Sequence, residues 1–255
     1  LRNPPPDIDL MLMEGTMLGR EEGEFPDEDS VETALMKLMK ESKGLCFLMT
    51  SSQNIDRLVS AYRACIRSER ILVVDIYTAW ILRKMNDFSK KKATPDISWK
   101  KVKVLSRSDI SKGHRMTLTI YSGIFGEFYK DLYNRDNIIY ERQISAHPGR
   151  YLVKTSCVEK LIDETRVPSS TVVFSMWKGY LDKKYNPDRY LDYERMRNRP
   201  DIRFEIIHTG GHATTDDLRK FAEAINPRVL VPIHTDSPEL FSDIFRNVVP
   251  LADGQ

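Results

Sequence analysis

Residues 204–234 read FEIIHTGGHATTDDLRKFAEAINPRVLVPIH, and they carry the clearest structural signals in the chain. The apolar runs at 204–207 and 229–233 predict two buried strands, and the amphipathic pattern at 215–225 predicts a helix between them. A strand, a helix and a second strand in this order form a unit whose two strands run parallel. We therefore expect both strands to lie in one sheet.

The same alternation extends outward through most of the chain. Strands are predicted at 45–49, 71–76, 151–154 and 171–176, and helices at 31–39, 55–62, 188–197 and 238–245. The segment 89–149 has no sustained period, and we expect one or two helices and loops there. Apolar strands separated by amphipathic helices are typical of an α/β fold with a mainly parallel sheet and flanking helices.

The composition argues against several classes of protein. A net charge of +2, from 39 Lys and Arg against 37 Asp and Glu, by itself predicts no polyanionic partner. The apolar runs are far shorter than the ~20 residues that span a bilayer, and no secretion signal opens the chain. We therefore expect a cytoplasmic protein without a membrane partner. Three widely spaced cysteines predict reduced thiols and no disulfide framework.

Three of the five histidines fall within 27 residues of one another. His208 follows the first strand of the quoted stretch, His212 opens the helix, and His234 ends the second strand. Because the carboxyl ends of parallel strands meet at one edge of a sheet, we expect His212 and His234 to lie together. Structural imidazoles are an equally good explanation of two such histidines. Glu14 follows an apolar strand at 9–13, and an acid beside a His is suited to acid–base chemistry.

Two predicted helix starts could bind phosphate. Gly210 and Gly211 permit close backbone approach and positive φ angles in front of the helix N-terminus at 215. Ser51, Ser52 and Asn54 precede the helix at 55 in a similar way. Ordinary helix capping is the favoured explanation of the second set.

Five short motifs resemble the β-CASP nucleases of the metallo-β-lactamase fold, a group that includes ribonuclease J-like and mRNA 3′-end processing enzymes. They are LMEGT at 12–16, MTSSQNIDR at 49–57, SMWKGY at 175–180, HTGGHA at 208–213 and VPIH at 231–234. The resemblance implies that Glu14 is the acidic catalytic residue, His212 a general acid and His234 a zinc ligand. It also implies that Arg57 and His208 join the two predicted phosphate-binding sets.

The chain departs from this family in its metal ligands. The principal zinc ligands of the family lie in an HxHxDH motif, a further His and an Asp, all ahead of the position of Glu14. No His-x-His occurs here, and no His precedes His114. Two histidines, His114 and His147, match no motif. Since a zinc centre takes three or four protein ligands, we predict that this chain alone binds little or no zinc and is inactive.

The resemblance implies a division into two lobes. Part of a metallo-β-lactamase αββα lobe would occupy 1–20 and 200–255, and an inserted β-CASP lobe would occupy 21–199. The first residue is Leu, not Met, so we expect a preceding N-terminal segment that carries the missing ligands.

Two functions follow. The first is a zinc-dependent phosphodiesterase, with two ions in the longer protein, that acts on single-stranded RNA. The alternative is a non-catalytic nucleic-acid-binding or scaffold protein of the same fold. The sequence leaves open the choice of RNA or DNA and the formation of a homodimer.

Overall fold

The computed structural model describes residues 3–19, 27–89, 94–106, 123–132, 137–252 and 254. The chain divides into two compact units. We call Leu1–Pro26 with Gly210–Gln255 the terminal unit, and Asp27–Thr209 the central unit.

The described strands are β1 (Leu10–Glu14), β2 (Leu45–Met49), β3 (Ile71–Val74), β4 (Val102–Leu105), β5 (Ile138–Ile139), β6 (Tyr151–Lys154), β7 (Ser170–Phe174), β8 (Ile202–Ile206) and β9 (Val229–Ile233). The described helices are α1 (Glu28–Glu41), α2 (Ile55–Arg67), α3 (Ile76–Phe88), α4 (residues 123–132), α5 (Glu141–Ala146), α6 (Val158–Thr165), α7 (Tyr190–Arg197), α8 (Thr215–Ile225) and α9 (Phe241–Ile244).

The central unit is built on a seven-stranded parallel sheet with the order β5-β4-β3-β6-β2-β7-β8. Every residue of β2, β6 and β7 is buried, which explains why these strands read as almost unbroken apolar runs. Helices flank the sheet, and the predicted α/β class is confirmed. The chain order reverses around β2 and β6, so the carboxyl ends of these strands border a topological switch point.

The helices begin at capping residues that the sequence supplies. Asp27 and Ser30 form a reciprocal capping box at α1. Asn54 Oδ1 accepts the Arg57 backbone N–H at 3.1 Å at α2. Thr214 Oγ1 accepts the Asp217 N–H at 3.1 Å at α8. Each cap uses one of the N–H groups that the first turn of a helix leaves without a backbone partner.

The terminal unit pairs strands from opposite ends of the chain. β1 and β9 run parallel, with Leu10 opposite Val229 and Glu14 opposite Ile233. Side chains of β1 alternate between faces, so Met11 and Met13 are buried while Leu12 is exposed. A separate apolar core surrounds the buried Phe241 and includes side chains of β1, α8 and β9.

One expectation about these strands is wrong. β8 and β9 do not share a sheet, because β8 is hydrogen-bonded to β7 in the central unit and β9 to β1 in the terminal unit. The helix pattern between them is correct, but periodicity along the chain does not specify which strand a given strand pairs with. The two-stranded sheet of the terminal segments is parallel in the part of the chain that is described.

The other differences concern segments with weak patterns. α3, β4 and β5 were not predicted, and they lie within or just before the segment that lacks a sustained period. The predicted helix at 238–245 is a 3-10 turn followed by the single turn of α9. The unit boundaries fall at 26/27 and 209/210, compared with expected lobe boundaries at 20/21 and 199/200. His114 lies outside the described residues, and among those described no helix could cross a membrane.

Candidate active site

Glu14 is the centre of a polar cluster in the terminal unit. It ends β1, and the turn that follows directs the Thr16 backbone N–H to Oε2 at 3.0 Å. The Ala213 N–H donates to Oε1 at 3.1 Å, and His212 Nδ1 lies 3.2 Å from Oε2. Gly15 is required at this turn, since a Cβ there would lie 2.3 Å from the Phe241 ring. The carboxylate is thus fixed from both sides.

These contacts determine the charge of the Glu14 carboxyl. Partial burial by itself raises the pKa of Glu14, but hydrogen bonds from Thr16 and Ala213 and the charge of His212 outweigh it. The pKa of Glu14 therefore lies below its ordinary value. The group is ionised near neutral pH and can act as an acceptor for the imidazole beside it.

The hydrogen-bond partners also assign the proton positions on the two imidazoles. The Thr16 hydroxyl lies 3.1 Å from the His234 carbonyl oxygen, which can only accept, and 3.0 Å from His234 Nδ1. A hydroxyl has one proton, so His234 Nδ1–H must donate to Thr16 Oγ1. His212 Nδ1 faces a carboxylate and must also carry a proton. When either ring carries a single proton, that proton is on Nδ1 and Nε2 holds the lone pair.

His234 occupies an unusual backbone position. It follows β9 directly and has a φ of +49°, in the left-handed region that few non-glycine residues adopt. Its ring is stacked with that of His212, with centroids 5.6 Å apart. Both side chains are exposed. Such a conformation is retained where surrounding contacts hold it, and it is frequent at functional sites.

Glu14, His212 and His234 could together hold a metal ion, since one ligand atom from each lies within 4.8 Å of the others. Two imidazole nitrogens and a carboxylate are ligands that zinc prefers. Both Glu14 oxygens already accept N–H groups, so this carboxylate is placed to accept from His212 Nδ1 and to orient the ring. Two imidazole lone pairs remain, which fit part of a zinc site.

Arg57, one of the predicted phosphate-binding residues, lies in the first turn of α2 in the central unit. Arg57 is fully buried and donates to Glu28 Oε1 at 2.9 Å, to the carbonyl oxygen of Thr209 at 3.2 Å and to Ser175. Because the Arg57 guanidinium is not exposed, the structure gives no support to the prediction that it binds phosphate. Arg57 instead joins the start of α2 to the segments after β7 and β8.

His208 belongs to the same buried network. Its Nδ1 lies 3.3 Å from Arg57 Nη1, and because a guanidinium can only donate, this nitrogen accepts. Burial, followed by the Arg57 charge, lowers the pKa of His208 to about 4. The ring is neutral near pH 7. His208 and His212 are four residues apart but lie in different units. Their Nδ1 atoms also differ, since that of His208 accepts from Arg57 and that of His212 donates to Glu14.

The loop after β2, residues 50–54, carries a few polar side chains that are not all engaged with neighbouring residues. Asn54 caps α2, and Ser52 accepts hydrogen bonds from Thr78 at 2.8 Å and Lys154 at 2.5 Å. Ser51 is exposed, and its hydroxyl accepts a backbone N–H at 3.2 Å. Thr50 Oγ1 is buried with no hydrogen-bond partner among the described residues. Unlike Arg57, this loop keeps polar groups that a ligand could reach.

Sequence reasoning missed the cation beneath this loop. Lys154, the last residue of β6, is 4% exposed and donates to Asp75 at 2.8 Å and Thr78 at 2.8 Å as well as to Ser52. Asp75 follows β3 directly. A Lys that ends an apolar strand, next to a strand followed by Asp, is the sequence signal that could have identified the pair.

Gly210 and Gly211 lie in the terminal unit and are exposed. Neither adopts a positive φ, and a Cβ on Gly211 would meet nothing within 4 Å. Chain geometry therefore does not require glycine at 211. The expected role in close approach to a ligand remains a prediction.

Known proteins provide two similarities, and no protein-family model matches the chain. Over 226 residues, 88% of this chain, the sequence is 22% identical to proteins named ribonuclease J from Helicobacter pylori strains B128 and J99. The matched region spans 29% of the length of those relatives. A crystal structure of a protein of unknown function from Enterococcus faecalis V583 matches 98% of this chain and 51% of its own, with 19% identity and a TM-score of 0.69. The chain is thus similar in sequence to ribonuclease J and in fold to the Enterococcus protein.

Proposed function

We propose that this chain is part of a metal-dependent phosphodiesterase that hydrolyses nucleic acid, with single-stranded RNA as its substrate. The observation that carries the proposal is the cluster of Glu14, His212 and His234, in which a carboxylate orients one exposed imidazole beside another. The similarity to ribonuclease J over most of the chain supports the substrate class. The terminal unit is then part of a metallo-β-lactamase lobe, and the central unit is the β-CASP lobe.

His212 is the general acid in this proposal. When protonated, its Nδ1–H is held by Glu14 and its Nε2–H is the proton it can transfer to the departing oxygen of the cleaved phosphodiester. Glu14 fixes the orientation of the ring. The lowered pKa of Glu14 keeps the carboxylate ionised for this purpose.

His234 is the metal ligand of this chain. Its Nδ1–H donates to Thr16, which orients the ring and leaves the Nε2 lone pair for coordination. Bound zinc supplies Lewis-acid polarisation and lowers the pKa of water for attack on phosphorus. We propose that the other ligands of a two-ion site come from outside these 255 residues, so the isolated chain is inactive and retains little zinc.

The nucleic-acid backbone contacts the loop after β2 in this proposal. Ser51 and Ser52 offer hydroxyl groups, and the buried Thr50 hydroxyl has no described partner. Arg57 and His208 hold the loop and the neighbouring strand ends in place from beneath. Gly210 and Gly211 give the terminal unit an open backbone in front of α8.

The test compares His212→Ala and His234→Ala in the full protein that the gene encodes. Loss of a general acid slows single-turnover cleavage of single-stranded RNA by about 10²- to 10⁴-fold and leaves zinc content unchanged. Loss of a ligand lowers zinc content, and added zinc or manganese restores part of the rate. Equal zinc loss in both variants would show that His212 is also a ligand, and the division of roles would be wrong.

The upstream sequence decides between this function and a non-catalytic scaffold. An HxHxDH motif ahead of Leu1 supports the nuclease, because it supplies the ligands that the terminal unit lacks. If the encoded protein contains no such motif, the alternative of a nucleic-acid-binding protein of the same fold is favoured. Binding of single-stranded RNA without cleavage by the whole protein would point the same way.

A further inference from the structure

Three exposed aromatic side chains form a cluster directly after β7. Trp177, Tyr180 and Tyr185 are 50%, 44% and 51% exposed. The Trp177 ring centroid lies 5.6 Å from that of Tyr180 and 5.0 Å from that of Tyr185, with both pairs edge to face. We call these three residues the aromatic platform. Isolated exposed aromatics are ordinary, but two tyrosines packed against one exposed indole indicate a binding surface.

The platform is held in shape by its backbone. A 3-10 turn at Lys178–Leu181 follows Trp177, and a Cβ on Gly179 would lie 2.3 to 2.5 Å from three atoms of the indole. The indole therefore lies directly against the backbone of Gly179. Asn186 Nδ2 donates to the Tyr180 carbonyl at 2.8 Å and closes the loop. A ring fixed in this way loses little conformational entropy when a ligand stacks on it.

Cationic side chains surround the platform. Lys178, Lys183 and Lys184 are exposed, and Lys184 Nζ lies 4.8 Å from the Tyr185 ring centroid. Between residues 177 and 189 there are four Lys or Arg and two Asp, and the Asp182 carboxylate already accepts the Lys184 backbone N–H at 2.7 Å. Aromatic rings beside lysines match single-stranded nucleic acid, whose bases stack on rings while its phosphates attract cations.

The platform lies close to the loop that we propose binds phosphate. β7 and β2 are neighbours in the parallel sheet, with Phe174 opposite Met49. The segments that follow them, at 50–54 and 175–185, start from the same sheet edge. We propose that Trp177, with Tyr180 and Tyr185, stacks a base of a single-stranded nucleic acid. The proposal deepens the proposed function, on which it rests for the class of substrate.

Equilibrium binding to the 255-residue chain tests the platform without requiring hydrolysis. The probes are a fluorescein-labelled oligoadenylate RNA of about 12 nucleotides, within known site sizes, and an abasic strand of equal length and charge. Trp177→Ala should weaken oligoadenylate binding by about 5- to 150-fold, the range for one stacked base, and leave abasic binding within about twofold. Phe88→Ala is the matched control, since this ring is 87% exposed and lies far along the chain from the platform.

A second variant keeps the indole and moves it. Gly179→Ala places a methyl group where the Trp177 ring now lies, so it should weaken oligoadenylate binding and change the Trp177 fluorescence. Wild-type oligoadenylate affinity in both variants would overturn the platform and leave the nuclease proposal intact. Equal loss of abasic binding would overturn stacking. If the variants lose self-association of the chain and keep RNA binding, the aromatic platform is a protein-binding surface, which would also overturn the stacking proposal. Failure of the full encoded protein to cleave RNA while stacking is retained would contradict the nuclease alone.

Discussion

The central and terminal units each place a histidine next to a charged side chain, and the two environments differ in what they leave free. In the central unit, His208 accepts from the buried Arg57 and has a pKa lowered to about 4. In the terminal unit, His212 is 39% exposed and faces the ionised Glu14. In the first network the guanidinium is buried and its charge is paired, whereas the second keeps imidazole lone pairs that face no described partner. Burial and the number of hydrogen-bond partners, more than residue type, distinguish the two histidines.

The largest effect should come from breaking the enclosed network. Arg57→Met removes a fully buried guanidinium and leaves Glu28 unpaired, and it should lower the free energy of unfolding by about 3–5 kcal/mol. Arg63→Met on the same helix is the control, since Arg63 is exposed and should change stability by about 0.5 kcal/mol or less. Urea unfolding monitored by circular dichroism measures both. A loss as small as that of Arg63→Met would mean that Arg57 is free for a ligand.

A second buried cation, Lys154, allows a similar test, for which we expect a smaller change in the free energy of unfolding. Lys154 and Asp75 form an ion pair in which the cation is buried and the Asp75 side chain is 35% exposed, close to the 31% of Glu28. A double-mutant cycle with Lys154→Met and Asp75→Asn should give a coupling free energy of about 1–3 kcal/mol. The Asn side chain retains the cap of α3, so the cycle isolates the ion pair. Additive effects would show that Lys154 acts through Ser52 or Thr78 instead.

Acid should destabilise the central unit through His208. The folded chain binds a proton at His208 only near pH 4, while the unfolded chain binds it near pH 6.5. The unfolded state thus holds more protons between these values, and stability falls as the pH drops from about 6.5 to about 4. His208→Asn keeps an acceptor for Arg57 and should have a flatter pH dependence than the wild type. Identical profiles in thermal melts would contradict the buried, neutral ring.

The smallest effect is expected in the open part of the terminal unit. Gly211→Ala meets no atom within 4 Å and no positive φ, so stability should stay within about 0.5 kcal/mol of the wild type. Gly15→Ala, whose Cβ would overlap the Phe241 ring, should cost about 1–3 kcal/mol. If Gly211→Ala retains stability but loses RNA binding, the predicted close approach of a ligand gains direct support. Marked destabilisation by Gly211→Ala would show that the glycine is required by the fold.

The sequence predicted the positions of helices and strands better than it predicted which strands pair with one another. β2, α8 and β9 lie where their patterns indicate, because burial and amphipathicity are written into consecutive residues. The assignment of β8 and β9 to one sheet failed, since the pairing partner of a strand depends on residues far away in the chain. β4 and β5 were missed because they are short and border a region without a sustained period.

The candidate site was predictable in part for the same reason. Strand ends suggested that Glu14, His212 and His234 lie together, and they do so although the predicted strand–helix–strand unit does not form. The burial of Arg57 could not be read from its motif, since an Arg in the first turn of a helix is usually solvated. Lys154 was overlooked because a Lys at the end of an apolar strand is ordinarily exposed.

The pairing of β1 with β9 also determines when the cluster of Glu14, His212 and His234 can form during synthesis. Thr16 and His234, which hydrogen-bond to one another, are 218 residues apart in the chain. The ribosome synthesises the whole central unit between β1 and β9. At about 5–20 residues per second, roughly 10 to 45 seconds pass between the synthesis of β1 and that of its partner strand. During that time β1 has no partner strand, and Met11 and Met13 lack the apolar core that later buries them, which favours association with other chains. Nascent-chain aggregation should therefore begin at β1 and end when β9 leaves the ribosome.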